Sequence, residues 1–312
     1  RARPDTWRYR GAKFIRRNKF AVAAGAALSV SLFVGLSTGT VLFLRADEAR
    51  KDAQKLAAKA GAVNLFLQDL LGAANPMTAP SPNLTVKDTL DRAAQEIDSG
   101  SLANQPEVEA DARLTIGNTY RFLGEYAAAE PQLRKALDLR KALFGPNHAS
   151  VAECLRHLAK LLQARGDLAG SEPLHREALD IMRVVLDDPN PELAQAINDL
   201  AKFVQLKGTS AESDRLFREA LAMRKRLPGD AAVEVAETLN DWAVLKDAEG
   251  DAAGAASLMR ESLIIFRRKF GNEHPSTATS LHNLAELLKF QGDYSGAVPL
   301  HRATDLPAAV RL

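Results

Sequence analysis

With a single cysteine, Cys154, in 312 residues, the chain has no internal disulfide to form. Its stability must come from packing, and the lone thiol reads as a small buried apolar residue. Aromatic side chains are scarce at 6%. Strands favour aromatic and β-branched residues, whereas helices favour the Ala and Leu that abound here, so an all-α protein is expected. Net charge is nearly absent as well: a balance of +2 with both signs mixed gives no global pull toward nucleic acid, and no nucleic-acid partner is expected. There is no initiator Met and no signal-peptide layout; the chain opens at Arg1 and stops at Leu312 inside what should be another helix, the pattern expected of a fragment.

What is present begins with an uncharged run, FAVAAGAALSVSLFVGLSTGTVLFL, over residues 20–44. About 20 apolar residues suffice to cross a bilayer core, so a transmembrane helix and a lipid bilayer as partner are expected. Arg1, Arg3, Arg8, Arg10, Lys13, Arg16, Arg17 and Lys19 precede the run and outnumber the basic residues just after it. The positive-inside rule then predicts a single-pass protein of the bacterial inner (cytoplasmic) membrane, with residues 1–19 cytoplasmic and everything after the span periplasmic. Ser31, Gly35 and Gly39 fall four apart on one helix face, where a second helix can approach closely; a homodimer through this face is the corresponding expectation.

The rest is organised by a repeat. Gly124, Gly166, Gly208, Gly250 and Gly292 are each 42 residues apart. Ala129, Ser171, Ser213, Ala255 and Ala297 keep the same step as small residues, and Arg134, Arg176, Arg218, Arg260 and Arg302 keep it unchanged. Apolar residues recur at helical spacing before and after each glycine, as in LRHLAKLL and SEPLHREALDIM, which makes each unit two helices joined at the glycine. Asp167, Asp251 and Asp293 follow that corner and can cap the second helix. The segments PNH, DDPNP, LPGD and GNEHP separate the units. A hairpin cannot bury its apolar face alone, so the units must stack into a solenoid with an extended concave surface. The expected organisation is a basic segment (1–19), a transmembrane helix (20–44), a helical linker and cap (45–106), five repeats (107–302) and an irregular tail (303–312).

The array resembles the tetratricopeptide family in its long, kinesin-light-chain-like form, through Ile116, Gly117, Tyr120, Ala129, Leu133 and Ala136. Trp242, Lys246, Ser262 and Thr304 depart from that pattern. The resemblance implies a right-handed α-solenoid. A second resemblance runs through RPDTWRYRGAKFIRRNKF, the apolar run, FLQDLLGAANP, TVKDTLDRAAQEI and QPEVEADARLTIGNTYRFLGEYAAAEP. In this order the segments look like the region after the kinase domain of bacterial transmembrane serine/threonine protein kinases. It implies a non-catalytic sensor or scaffold region whose kinase domain, with its ATP and Mg, lies upstream of Arg1. The alternative is a free-standing membrane-anchored tetratricopeptide adaptor or chaperone of envelope assembly.

No kinase motif stands in the chain: HRE at His175 is a repeat column, and no catalytic residue is expected. The histidines are dispersed along the sequence, His148 and His274 in inter-repeat loops and His175 and His301 in one second-helix column, so neither metal ligands nor a cofactor are expected. By the family's habit of binding extended peptides on its first helices, the candidate groove residues are Asn118, Arg121, Arg156, Lys160, Asn198, Lys202, Asn240 and Asn283. Asparagine amides bond a peptide backbone in both senses, and Arg or Lys pair with carboxylates.

Overall fold

The structure, a computed structural model, describes residues 14–19, 40, 50 and 85–304. The chain divides into two units, residues 1–72 and 73–312. In the first, residues 14–17 are helical. Ser31, Gly35 and Gly39, the expected linker up to residue 84 apart from Arg50, and the tail from residue 305 lie outside the described residues.

The second unit is a succession of helices: α1 (Val86–Asp98), α2 (Pro106–Phe122), α3 (Tyr126–Phe144), α4 (Ala149–Ala164), α5 (Leu168–Val185), α6 (Pro191–Leu206), α7 (Ser210–Arg226), α8 (Ala232–Ala248), α9 (Ala252–Phe270), α10 (Pro275–Phe290) and α11 (Tyr294–Thr304). No strand occurs among the described residues. Helix α1 starts on a reciprocal cap: the Asp88 amide donates to Thr85 Oγ1 at 3.1 Å and the Thr85 amide donates to Asp88 Oδ2 at 2.9 Å. It then buries Ala93, Ala94 and Ile97.

Each hairpin (α2/α3, α4/α5, α6/α7, α8/α9, α10/α11) turns at one of the 42-step glycines, which all adopt positive φ, from 77° to 85°. At Gly166 the turn is a Schellman motif: the Gly166 amide reaches the Gln163 carbonyl at 3.0 Å and the Asp167 amide reaches the Leu162 carbonyl at 2.9 Å. Asp167 then accepts from the Gly170 amide, and Asp251 and Asp293 accept from Gly254 and Gly296, so the residue that ends the turn also caps the next helix. Between hairpins, His148 and His274 cap α4 and α10 by accepting from the Ser150 and Ser276 amides, and each ring stacks on the preceding phenylalanine, Phe144 or Phe270.

The small-residue columns are where helix backbones close up. Ala159, Ala201, Ala243 and Ala285 on the first helices are fully buried, as are Ala129, Ser171, Ser213 and Ala255 on the second. The serines carry a hydroxyl into this dry contact and satisfy it on the partner helix, Ser171 on the Ala159 carbonyl and Ser213 on that of Ala201. Two buried arginines in one column, Arg140 and Arg224, tie successive repeats by donating to the Ser150 and Glu234 carbonyls at the start of the next first helix.

The expected location, a single pass through the bacterial inner membrane with periplasmic repeats, is corrected here. Among the described residues no helix is long and apolar enough to cross a membrane. The longest, α3 and α9, have 19 residues each and hide one apolar face while showing charges on the other, Arg134, Lys135 and Asp138 in α3 and Arg260, Glu261 and Arg268 in α9. Residues 20–44, on which the expectation rested, lie outside the described residues apart from Thr40.

Candidate functional site

The first helices α2, α4, α6 and α8 touch not only their hairpin partners but one another in sequence, while the second helices do not approach each other to that degree among the described residues. Rows that lie closer together form the inside of a curved stack, so the first helices line its inner face. A polar ladder runs along this row. Arg156 on α4 donates to Asp199 Oδ2 on α6 through Nε and Nη2 at 3.0 and 2.6 Å, and Lys160 reaches the same oxygen at 2.7 Å. One repeat further, Asn198 Nδ2 donates to Asp241 Oδ2 on α8 at 3.0 Å, and Lys202 lies 3.2 Å from Asp241 Oδ1. One repeat earlier, Asn118 Oδ1 accepts from Arg121 and sits 3.1 Å from His157 Nδ1. Each rung spans 39 or 43 residues, one helical turn apart on the same face.

The rungs differ in how much they keep for themselves. Arg156, Asn198 and Asp199 are buried, Asn118, Arg121, Lys160, Asn240 and Asn283 are half-buried, and Lys202 is exposed. Burial opposes ionisation of Asp199, but Arg156 and Lys160 overcome it and hold the carboxyl well below the usual carboxylate range. His157, packed beside Arg156, is pushed down to about 3, chiefly by burial. The Oδ1 atoms of Asn198 and Asn240 are buried with no donor of this protein in reach.

So the structure brings Arg156 with Lys160, Asn198 with Lys202, and Asn118 with Arg121, whereas Asn240 and Asn283 join no rung. Missing from the sequence reading are the acceptors that organise the ladder, Asp199 and Asp241, and the ring of His157. Their signal was present: Asn198-Asp199 and Asn240-Asp241 repeat the same dipeptide at the 42-residue step.

At the N-terminal ends of α6 and α8 the row opens into a recess of about 540 Å³, lined by Arg156, Pro191, Gln195, Arg224, Leu227 and Glu234 among others. Its walls carry three prolines and a leucine beside cations and carboxylates, a mixture suited to a peptide carrying both apolar and charged side chains. The fourth repeat uses its departures structurally: Asp214 accepts from Trp242 Nε1 at 3.0 Å and from Lys246 and Arg218 at 2.7 Å, and these donors draw the carboxyl down to about 2 against its burial.

Stacked helical hairpins with an inner polar row define a helical-repeat protein of the kind that binds other proteins. The sequence matches the tetratricopeptide repeat family over residues 108–183, 156–226 and 234–304, more than half of the chain, and the protein belongs to that family. A comparison with curated protein sequences found no match. Among solved structures, BtubC (BKLC) from P. vanneervenii is similar at 20% identity, covering 71% of this chain and 90% of its own, with a TM-score of 0.59. The nearly identical TPR-like repeats of a Podosopora anserina kinesin light chain are 20% identical, covering 64% and 94%, with a TM-score of 0.53. A Rap protein complexed with competence and sporulation factor is 16% identical, covering 77% and 62%, with a TM-score of 0.57. At such identities the likeness shows the fold alone. Neither the family match nor these neighbours supports a kinase parent or membrane anchoring.

Proposed function

We propose that this chain is a protein-interaction module that holds an extended segment of a partner protein along the row of first helices, from the recess at α6 and α8 toward Lys202. The observation that carries the reading is the ladder itself. It fixes alternating cations and carboxylates on one face, so the rotamer entropy of Lys160 and Lys202 is partly spent before a ligand arrives. Asn240 adds a carbonyl oxygen without a donor, which a peptide N–H can satisfy after a small rotation of the side chain. The Rap protein, whose structure holds competence and sporulation factor, lends the reading support by analogy of fold.

The ladder also decides which residues make a fair test. Asn198 and Arg156 are buried in the fold's own bonds, so truncating them weakens the scaffold along with any site. Exposed Lys202 is the better probe. A peptide selected from a random library against the full chain should lose about fivefold to tenfold in affinity with Lys202→Ala, and nothing with Arg215→Ala on α7. A peptide equally sensitive to Arg215→Ala, or indifferent to both, sinks the assignment.

A further inference from the structure

In the fifth repeat, three side chains of metal-ligating type meet. His282 and Glu286 are one turn apart on α10, and His301 faces them from α11; one ligand atom of each lies within 4.8 Å of the other two. His301 Nε2 is 3.3 Å from Glu286 Oε1, and the two imidazoles meet edge-on with centroids 5.9 Å apart. For a tetrahedral ion with bonds of about 2.0–2.1 Å, neighbouring ligand atoms are about 3.3–3.4 Å apart, so one edge is already at its bound length and rotation of the exposed His282 closes the others.

The convergence is peculiar to this repeat. The same three places hold Leu114, Asn118 and Leu133 in the first repeat and Asn240, Val244 and Met259 in the fourth. The second and third repeats put a lysine, Lys160 or Lys202, where Glu286 stands. Besides His301, Glu286 meets Lys289 at 3.2 Å, a contact that costs little to give up. Dispersion along the sequence, which argued against metal ligands, is undone by the hairpin.

We propose that His282, Glu286 and His301 form a three-ligand site for a borderline divalent transition ion, zinc foremost, that ties α10 to α11 and leaves its remaining positions to solvent. Two imidazoles and one carboxylate suit zinc, cobalt or nickel better than magnesium or calcium, which prefer all-oxygen shells.

The test uses the full chain, untagged and stripped of metal with a chelator, titrated with Co²⁺ by visible absorption and then with Zn²⁺ in competition. One Co²⁺ per chain is expected, displaced by Zn²⁺, and His282→Ala or Glu286→Gln should weaken it about tenfold or more. His282 is exposed and Glu286 half-buried on α10, and unchanged helical circular dichroism certifies the fold. Co²⁺ bound equally well by His282→Ala, retained by a His282→Ala/His301→Gln chain, or bound by the native chain no tighter than about 1 mM overturns the assignment.

Discussion

Asp199 is the residue on which the inner row should most depend. It is 6% exposed and accepts from Arg156 twice, from Lys160 at 2.7 Å and from Gln195 at 2.8 Å. Asp199→Ala leaves the Arg156 guanidinium, 8% exposed, without a counter-charge. Breaking a buried pair from one side costs about 3–5 kcal/mol. Lys160, half-buried, can turn outward, which places the expected loss near the lower end, about 3 kcal/mol. Replacing both partners by apolar residues of similar size, Arg156→Met with Asp199→Leu, should return stability to within about 1 kcal/mol of the native chain, because neither charge is then stranded. Urea unfolding of the full chain, followed by circular dichroism, reads both values provided the slope is unchanged, a check that repeat arrays require. The sign with pH follows from the depressed carboxyl: its contribution is fully present above about pH 4 and is lost as pH falls below that, so the Asp199→Ala penalty should be constant from pH 5 to 8. A single-variant loss below about 1 kcal/mol, or a double variant as unstable as the single, would falsify the picture of a dry, mutually dependent pair.

Three further outcomes follow from the same contacts. Burial pushes His157 down to about 3 and His175 to about 4. Both stay neutral in the fold while the unfolded chain takes up protons below about 6.5, so stability should fall as pH drops from 6.5 toward 4, by at most about 1.4 kcal/mol per pH unit for each ring. In His157→Gln that slope should shrink by roughly half, and an unchanged slope speaks against the assignment. Gly250→Ala forces a side chain to φ 81° and should cost about 1 kcal/mol in thermal or urea unfolding; a neutral result means that the corner relaxes. Gly117→Ala puts a Cβ 2.8 Å from Leu133 Cγ and should cost about 1–3 kcal/mol, with clear non-additivity when Leu133→Ala makes room; simple additivity contradicts the close approach.

The hairpins were readable in the sequence because their determinants are local. A positive-φ glycine leaves its mark at every 42-residue step, followed at three of the five by an Asp cap three residues before another glycine, and small-residue columns mark the helix contacts directly. The candidate groove was half readable. A column transfer finds residues on the first helices, but burial depends on what the next repeat brings opposite, and Asp199 and Asp241 come from 43 positions away. Asn198 and Arg156 therefore turned out to be tied into the scaffold, while exposed Lys202 kept its availability. The meeting of His282, Glu286 and His301 was not legible for the same reason: the hairpin, and not the sequence order, makes them neighbours. Of the kinase-like front segments the apolar run lies outside the described residues apart from Thr40, and the membrane location inferred from that run and its basic flank does not stand.

The claim that matters most is that the first-helix row takes up a partner peptide, and site-specific photocrosslinking reads it directly. With a photoreactive residue placed at position 202 on α6 or, in a separate chain, at position 215 on α7, a library-selected peptide should crosslink from position 202 and be spared from position 215. Equal labelling from both positions, or labelling from 215 alone, contradicts the account and moves the binding surface to the outer helices.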